Sequence, residues 1–334
     1  MKTNASTTPL RLLLIGGHGH HYLHRVVERG DGVAAMLFDE FDPEAAKRYA
    51  KRAGIDTIFT SWDDAMKWRP DAASVGVAYA KNGPVATDVL DRGFRVVTDK
   101  PAAVDRATLD RLKRACSREG AVLLTEFDMR CRPEFRAARA AIANGDIGTP
   151  LLATAQKSYK LGTRPAFYGD ASLAAGLLLW VASHGIDMIQ HTTGLPLTPT
   201  SALPGPPASP RYSAMEACVT ASFRLGREGV AVAHADYLRP AAAEGHGDDR
   251  LRVAGTNGVV EVADGRCRLT TTDAATKDIT PSQQDRPDVA DELLASLLSP
   301  AETQMFSTHD SLRIAEVLVK AAELANTAND ERRS

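Results

Sequence analysis

The chain has 334 residues, enough for two domains that each bury a core of their own. Lys plus Arg number 40 and Asp plus Glu 42, a formal charge of −2 that excludes the electrostatic footprint of a dedicated nucleic-acid binder. Charged residues make up 25% and apolar residues 44%, and no uncharged apolar run nears the ~18 residues of a membrane span, so no membrane partner is expected. Cys116, Cys131, Cys218 and Cys267 are too scattered for a disulfide framework and include no CxxC pair, so they read as reduced thiols. The polar start Met1–Pro9 leads into an apolar stretch, Leu12–Ile15, far too short for the core of a signal peptide, and a cytoplasmic location is expected.

From residue 11 to about 125 short apolar runs alternate with amphipathic stretches. The runs Leu12–Ile15, Val33–Phe38, Thr57–Phe59, Ser74–Tyr79, Arg95–Thr98 and Ala121–Leu124 predict strands, and helices are predicted near 20–29, 43–53, 61–68, 83–92 and 105–118. Strands that are apolar throughout are buried on both faces, so this half is a doubly wound α/β domain with a parallel sheet.

Past residue 130 the pattern changes. A helix at about 132–144 is followed by a strand near 151–159 and an apolar helix at 177–193. Met215, Ala217, Val219, Ala221, Phe223 and Leu225 alternate with polar residues at the period of a half-covered sheet, and Val230–Leu238 continues it. Asn257-Gly258 and Asp264-Gly265 mark hairpins among the strand-like Leu251–Ala254, Val259–Val262 and Arg266–Leu269. The Pro-rich Leu203–Arg211 reads as a loop, with helices at about 286–298 and 307–327 behind the strands. The expected division is 1–128 for the first domain and 129–334 for the second, a mostly antiparallel sheet backed by helices, with the last helix able to pack back on the first.

Several positions carry candidate chemistry. Gly16-Gly17-His18-Gly19 follows the first strand and opens a helix, a turn in which glycines admit a dinucleotide pyrophosphate near free backbone N–H groups; Tyr22 stands where the fingerprint has its third glycine. Asp39, at the end of the second strand, is placed to accept from the ribose hydroxyls of NAD and to repel the extra phosphate of NADP. His20 and His24 are spaced i,i+4, but with no carboxylate or thiol beside them in sequence no metal site is expected. Lys100, in Asp99-Lys100-Pro101, follows the fifth strand, and ligands of open α/β sheets bind beyond the carboxyl ends of their strands; the proline argues against a freely solvated surface lysine. His184, Asp187 and His191 share one helical face, open to three readings: a satisfied core histidine, a metal face, or a catalytic base held by Asp187.

Together the glycine turn, Asp39, Asp99-Lys100-Pro101 in place of E-K-P, and the HxxD of His184 and Asp187 resemble the Gfo/Idh/MocA oxidoreductases over nearly the whole chain. The resemblance implies a Rossmann domain followed by an α/β domain with a large open sheet, NAD or NADP as cofactor, and a homodimer or homotetramer. It also implies hydride transfer at a hydroxyl-bearing carbon of a sugar, polyol or related small molecule. Gly16, Gly17, His18, Gly19, Asp39, Tyr79, Ala80, Asp99, Lys100 and Pro101 are the expected cofactor residues, with NAD favoured over NADP. The chain departs from the family where Ala80 and Pro84 replace a common Pro and His, and where Trp180 replaces an Asp four residues before the catalytic His.

In the resulting mechanism His184 removes the hydroxyl proton, Lys100 stabilises the oxygen and Asp187 orients the imidazole. Tyr159, Lys160, Arg164 and Trp180 join Lys100 and His184 as candidate substrate residues. Two alternatives stand beside it: a non-catalytic NAD-binding sensor, and a redox-neutral NAD-dependent sugar hydrolase or epimerase.

Overall fold

The structure, a computed structural model, describes residues 9–38, 41–282, 287–300 and 305–333. The chain forms two compact units: one takes the chain up to Ala102 together with Asp110–Glu126 and Asp288–Ser311, and the other takes Ala103–Leu109, Phe127–Pro287 and the residues from Leu312 onward.

The first unit is built on six parallel strands, β1 (Leu10–Ile15), β2 (Gly32–Leu37), β3 (Ile58–Phe59), β4 (Ala72–Val75), β5 (Arg95–Thr98) and β6 (Leu123–Thr125). Their spatial order is β3-β2-β1-β4-β5-β6, the doubly wound order whose direction of winding reverses between β1 and β4. The apolar run of β1 is central for a physical reason: Leu12, Leu13, Leu14 and Ile15 are buried, and only a strand covered on both faces can use four such residues in a row.

Its helices are α1 (His24–Glu28), α2 (Pro43–Ala53), α3 (Trp62–Lys67), α4 (Asn82–Asp91) and α8 (Val289–Leu298), and two further helices, α5 (Arg106–Cys116) and α9 (Thr308–Arg333), contribute one end each. Helix α2 has every local signal: Asp42 accepts the Ala45 N–H, Pro43 occupies the first turn, and Gly54 ends it at φ 66°. Chain distant in sequence closes the β6 side of the sheet: Thr308 and Ser311 hydroxyls accept the Leu123 and Thr125 N–H groups, and Arg95 donates to the Leu297 carbonyl.

Three expectations for this unit need correction. The first helix begins at His24, because His21 sits in the left-handed region at φ 41° and prolongs the glycine turn. The fourth strand ends at Val75, where Gly76 passes under the His18 carbonyl so closely that a Cβ would come within 2.0 Å of it; Tyr79 belongs instead to a 3-10 turn, Tyr79–Lys81. The sixth strand starts at Leu123, since Ala121 donates back to the Arg118 carbonyl in the preceding turn.

The second unit is an eight-stranded sheet in the order β14-β13-β12-β11-β7-β10-β9-β8. Its strands are β7 (Pro150–Tyr159), β8 (Leu197–Pro204), β9 (Cys218–Leu225), β10 (Gly229–Asp236), β11 (Gly247–Gly255), β12 (Gly258–Ala263), β13 (Arg266–Thr271) and β14 (Ala274–Asp278). Neighbours are antiparallel except β7 with β10.

One face of this sheet is an alanine floor, Ala153, Ala155, Ala231, Ala233 and Ala235, all buried. Against it lies α7 (Ser183–Thr193); α6 (Pro133–Ala143) covers β12 and β13 beside it. Gly185 faces this floor, and a Cβ there would sit in ordinary van der Waals contact with the Ala155 and Ala233 methyls, at 3.4 Å and 3.6 Å. The opposite face carries Leu152, Thr220, Arg224 and Val230, all exposed.

Two strands escaped the sequence reading, β8 and β14, and both are edges. Leu203 and Pro204, expected in a loop, end β8, whose Pro199 and Pro204 are tolerated because an edge strand leaves one row of N–H groups unpaired. Strand β14 is exposed at every position and therefore lacks the alternation that reveals a strand. All four cysteines are free thiols, Cys131 and Cys267 buried. Among the described residues no helix is long and apolar enough to cross a membrane.

Candidate active site

The glycine turn leaves the carboxyl end of β1 at the point where the winding reverses. Gly17 lies on the start of α2, where a Cβ would fall 2.1 Å from a backbone carbon of Ala45; Gly19, at φ 81°, would push one to 2.5 Å from Asp99 Oδ2. Both positions are therefore closed to other residues, one by backbone and one by a carboxylate.

The histidines of this turn go to separate partners. His18 Nε2 lies 2.9 Å from Asp42 Oδ2. Partial burial would raise the Asp42 carboxyl, but the Ala45 N–H and His18 hold it below the usual range. His21 is fully enclosed, bonded to Ser74 Oγ at 2.8 Å and the Gly16 carbonyl at 3.2 Å, and burial pushes its imidazole down to about 4. His24 faces Glu28 and Tyr49, with burial lowering its pKa.

At the end of β5, Lys100 Nζ donates to Asp99 Oδ1 at 2.7 Å and lies 3.1 Å from His20 Nδ1, which is in turn 3.2 Å from Asp99 Oδ2. Lys100 and Asp99 side chains are each 1% exposed, whereas His20 is 42% exposed. Burial alone would raise the Asp99 carboxyl; the Lys100 ammonium and His20 override it and hold it well below the usual carboxylate range. The Lys100–Pro101 peptide is cis. Asn82, absent from the sequence reading, ties this loop down: its Oδ1 accepts the Val77 N–H and its Nδ2 donates to the Asp99 and Lys100 carbonyls. Tyr79 is buried and Ala80 partly so, both in the turn that Asn82 closes.

Beyond the carboxyl ends of β1 and β2 opens a cavity of about 540 Å³, lined among others by Leu37, Phe38, Phe41, Thr60 and Trp62. An apolar cleft in that place fits the adenosine end of a dinucleotide. Asp39, expected at the end of the second strand, lies outside the described residues.

In the second unit, one π-helical turn, Leu178–Ala182, precedes α7 and contains the buried Trp180. His184 follows in the first turn of α7, 6% exposed, its ring edge-on to Phe127 at 5.9 Å. Asp187, expected to orient that imidazole, is bound by Arg130: Nε donates to Oδ2 at 3.0 Å and Nη2 to Oδ1 at 2.5 Å, with both side chains buried. His191 lies against Arg139, and burial together with Arg130, Arg139 and Arg313 drives its pKa far down. That leaves His191 neutral, a packed histidine of α7.

Three of the candidate substrate residues, Tyr159, Lys160 and Arg164, lie together around His246. Tyr159 stacks on His246 at 4.8 Å, Arg164 Nη2 reaches the Lys160 carbonyl at 2.8 Å and His246 Nε2 at 3.4 Å, and Lys160 Nζ donates to the Ala243 carbonyl. Burial and the neighbouring Arg164, Lys157 and Lys160 lower the His246 pKa. Three further members were not singled out in the sequence. Lys157, 1% exposed, pairs with Asp249 at 2.8 Å and lies 5.1 Å from the Tyr159 ring, while Tyr237 and Tyr168 meet through their hydroxyls at 3.3 Å. Lys157 could have been found from its place in β7, where it falls on the alanine side of the alternation beside Ala153 and Ala155.

Residues 10–127 match the model of an oxidoreductase family with an NAD-binding Rossmann fold, and residues 135–261 match the Gfo/Idh/MocA C-terminal domain. The chain belongs to the Gfo/Idh/MocA family of oxidoreductases. It is 27% identical over 243 residues to the uncharacterized oxidoreductase YrbE of Bacillus subtilis (strain 168), covering 72% of this chain and 68% of that one. A structure from Thermotoga maritima, assigned as an oxidoreductase, superposes with a TM-score of 0.87 at 26% identity, over 95% of this chain and 98% of that one. A levoglucosan dehydrogenase in complex with NADH shares the fold at a TM-score of 0.80 and 16% identity, covering 96% and 98% of the two chains. So does an aldose-aldose oxidoreductase of Caulobacter crescentus complexed with glycerol, at 0.79 and 17%, with the same coverage. For a family member, the glycine turn and the cleft beyond β2 are the parts of the first unit suited to a nicotinamide dinucleotide.

Proposed function

We propose that this oxidoreductase moves hydride between a nicotinamide dinucleotide, NAD in preference to NADP, and a hydroxyl-bearing carbon of a sugar, polyol or related small molecule. The observation that carries the reading is Lys100: an ammonium 1% exposed, paired with a carboxylate at the carboxyl end of β5, is held in place at a cost that a surface lysine never meets. When bound, the cofactor supplies the hydride acceptor. Lys100 donates to the substrate oxygen and stabilises the charge that develops as its proton leaves. His184 accepts that proton, a task suited to imidazole. Asp187, held by Arg130, orients the imidazole and so is a positioning residue. Tyr159, Lys160 and Arg164 meet the rest of a hydroxylated or anionic substrate, and Trp180 supplies an apolar wall where relatives carry a carboxylate.

The sugar substrates named for two structural neighbours support the substrate class. The test is an absorbance screen at the NADH band with polyols, sugars and sugar acids. Stoichiometric NADH with product is the expected result. Substrate conversion without net NADH would replace it with a redox-neutral reaction, and NAD binding without turnover across the panel would replace it with a sensor.

A further inference from the structure

The glycine turn contributes a group to the Lys100 site that a phosphate-binding turn does not need. His20 Nδ1 lies 3.1 Å from Lys100 Nζ and 3.2 Å from Asp99 Oδ2. An ammonium only donates and a carboxylate only accepts, whereas one ring nitrogen carries either a lone pair or a proton. His20 Nδ1 can therefore satisfy one of its two neighbours at a time.

The surroundings hold the ring in this conflict. Asp99 is pinned by the Lys100 backbone N–H at 2.9 Å as well as by Nζ. The turn cannot shift toward it, because the Gly19 Cα is already so close that a Cβ would stand 2.5 Å from Asp99 Oδ2. Tyr22 stacks on the imidazole at 5.2 Å with the planes 10° apart, fixing the plane of the ring. What remains free to change is the proton.

We propose that His20 is a positioning residue that sets Lys100 by the proton on its Nδ1. Without that proton Nδ1 accepts an ammonium N–H and holds Lys100 against the turn. With it, Nδ1–H donates to Asp99 Oδ2 and that ammonium N–H is released toward the substrate oxygen; the proton comes from solvent, to which His20 alone of the three is open. Facing His20 are Asp99 and Lys100 from the end of β5 and Tyr22 stacked on its ring, with His21 beside it in the same turn; Glu126, after β6, accepts the Tyr22 N–H. Resting on the reading that the Gly16–Gly19 turn holds a diphosphate, the inference extends to order: a dianion seated there favours the protonated ring, so cofactor binding releases Lys100 before substrate arrives.

The test uses the full chain without ligand, labelled at the lysine ε-carbon and the histidine ring, in an NMR titration between about pH 5 and 8. Lys100 is assigned by the signal lost in Lys100→Arg. The expected result is a step in the Lys100 ε-carbon shift at the midpoint of the His20 ring titration, absent in both His20→Gln and His20→Asn, with the midpoint moving up when NAD is added. A Lys100 signal that is flat through the His20 titration, or a step that survives in both variants, would overturn the proposal; a midpoint unmoved by NAD would overturn its link to the cofactor. Neither readout needs turnover, so failure of the hydride-transfer reading would show separately, as full activity in Lys100→Met.

Discussion

Arg130 and Asp187 form a two-pronged ion pair with side chains 5% and 2% exposed, one turn beyond His184 on α7. Two parallel N–H to oxygen bonds satisfy the carboxylate, and the low dielectric around them makes either partner alone costly. Arg130→Met or Asp187→Leu should each destabilise the protein by about 3–5 kcal/mol, whereas the double variant should recover most of that loss. Urea unfolding of the three variants measures it. Equal losses in the singles and the double would show that the pair is held for packing alone.

His21 sets an acid limit on stability. Its pKa falls from 6.5 in the unfolded chain to about 4 in the folded one, so between those values the unfolded state binds more protons. Its neutral, hydrogen-bonded form is fully stabilising above pH 6.5, and that contribution is lost as pH falls toward 4, on the order of 3 kcal/mol at the low end. The lowered His191 acts in the same direction. Denaturant midpoints should drop between about pH 6.5 and 4, and less steeply in His21→Gln; an unchanged slope would remove His21 as the cause.

Lys100→Met and His184→Asn should each lower kcat by about 10²–10⁴-fold with little change in NAD affinity. Because both groups are assigned to one oxygen, the double variant should lose far less than the product of the two single losses. Steady-state kinetics and cofactor titration decide this, and strict multiplicativity would place the two residues on separate steps.

The cofactor preference rests on Asp39 and on the absence of Lys or Arg in the following Glu40-Phe41-Asp42. NAD should bind more tightly than NADP, and Asp39→Ser should narrow the gap. Gly19→Ala should weaken both cofactors together, since it strains the φ 81° turn and pushes on Asp99. Calorimetric titration reads all three, and tighter binding of NADP by the unaltered chain would sink the assignment.

The exposed face of the eight-stranded sheet, with Leu152 and Val230 among its residues, is expected to be covered by a second copy in a dimer or tetramer. Light scattering at micromolar concentration should give a multiple of 35.8 kDa. A monomer would mean that this face tolerates water.

What the sequence revealed follows from burial. Strands covered on both faces, such as Leu12–Ile15, and strands covered on one, such as Val219–Leu225, carry their own patterns and were found. The edges β8 and β14 carry none, one broken by prolines and the other polar throughout. Lys100 stands out after an apolar strand of the first unit, and His184 stands out within an apolar helix of the second. Asn82, Arg130 and Lys157 do not: they are ordinary residues in sequence, and the partners that distinguish them lie 17 to 92 residues away. Such contacts depend on tertiary proximity, to which periodicity is blind. The i,i+3 spacing of His184 and Asp187 is visible in the sequence, whereas the guanidinium that binds the carboxylate, 57 residues away, is not.

The chain leaves the first unit after Glu126 and returns to it at Asp288. In the interval it lays down every strand of the other sheet. During synthesis, therefore, β5 and β6 wait for the Leu297, Thr308 and Ser311 groups that complete them until all those strands have been made. The nucleotide-binding sheet begins first on the ribosome and is finished late, and a chain stopped near residue 128 would present an incomplete edge to its neighbours.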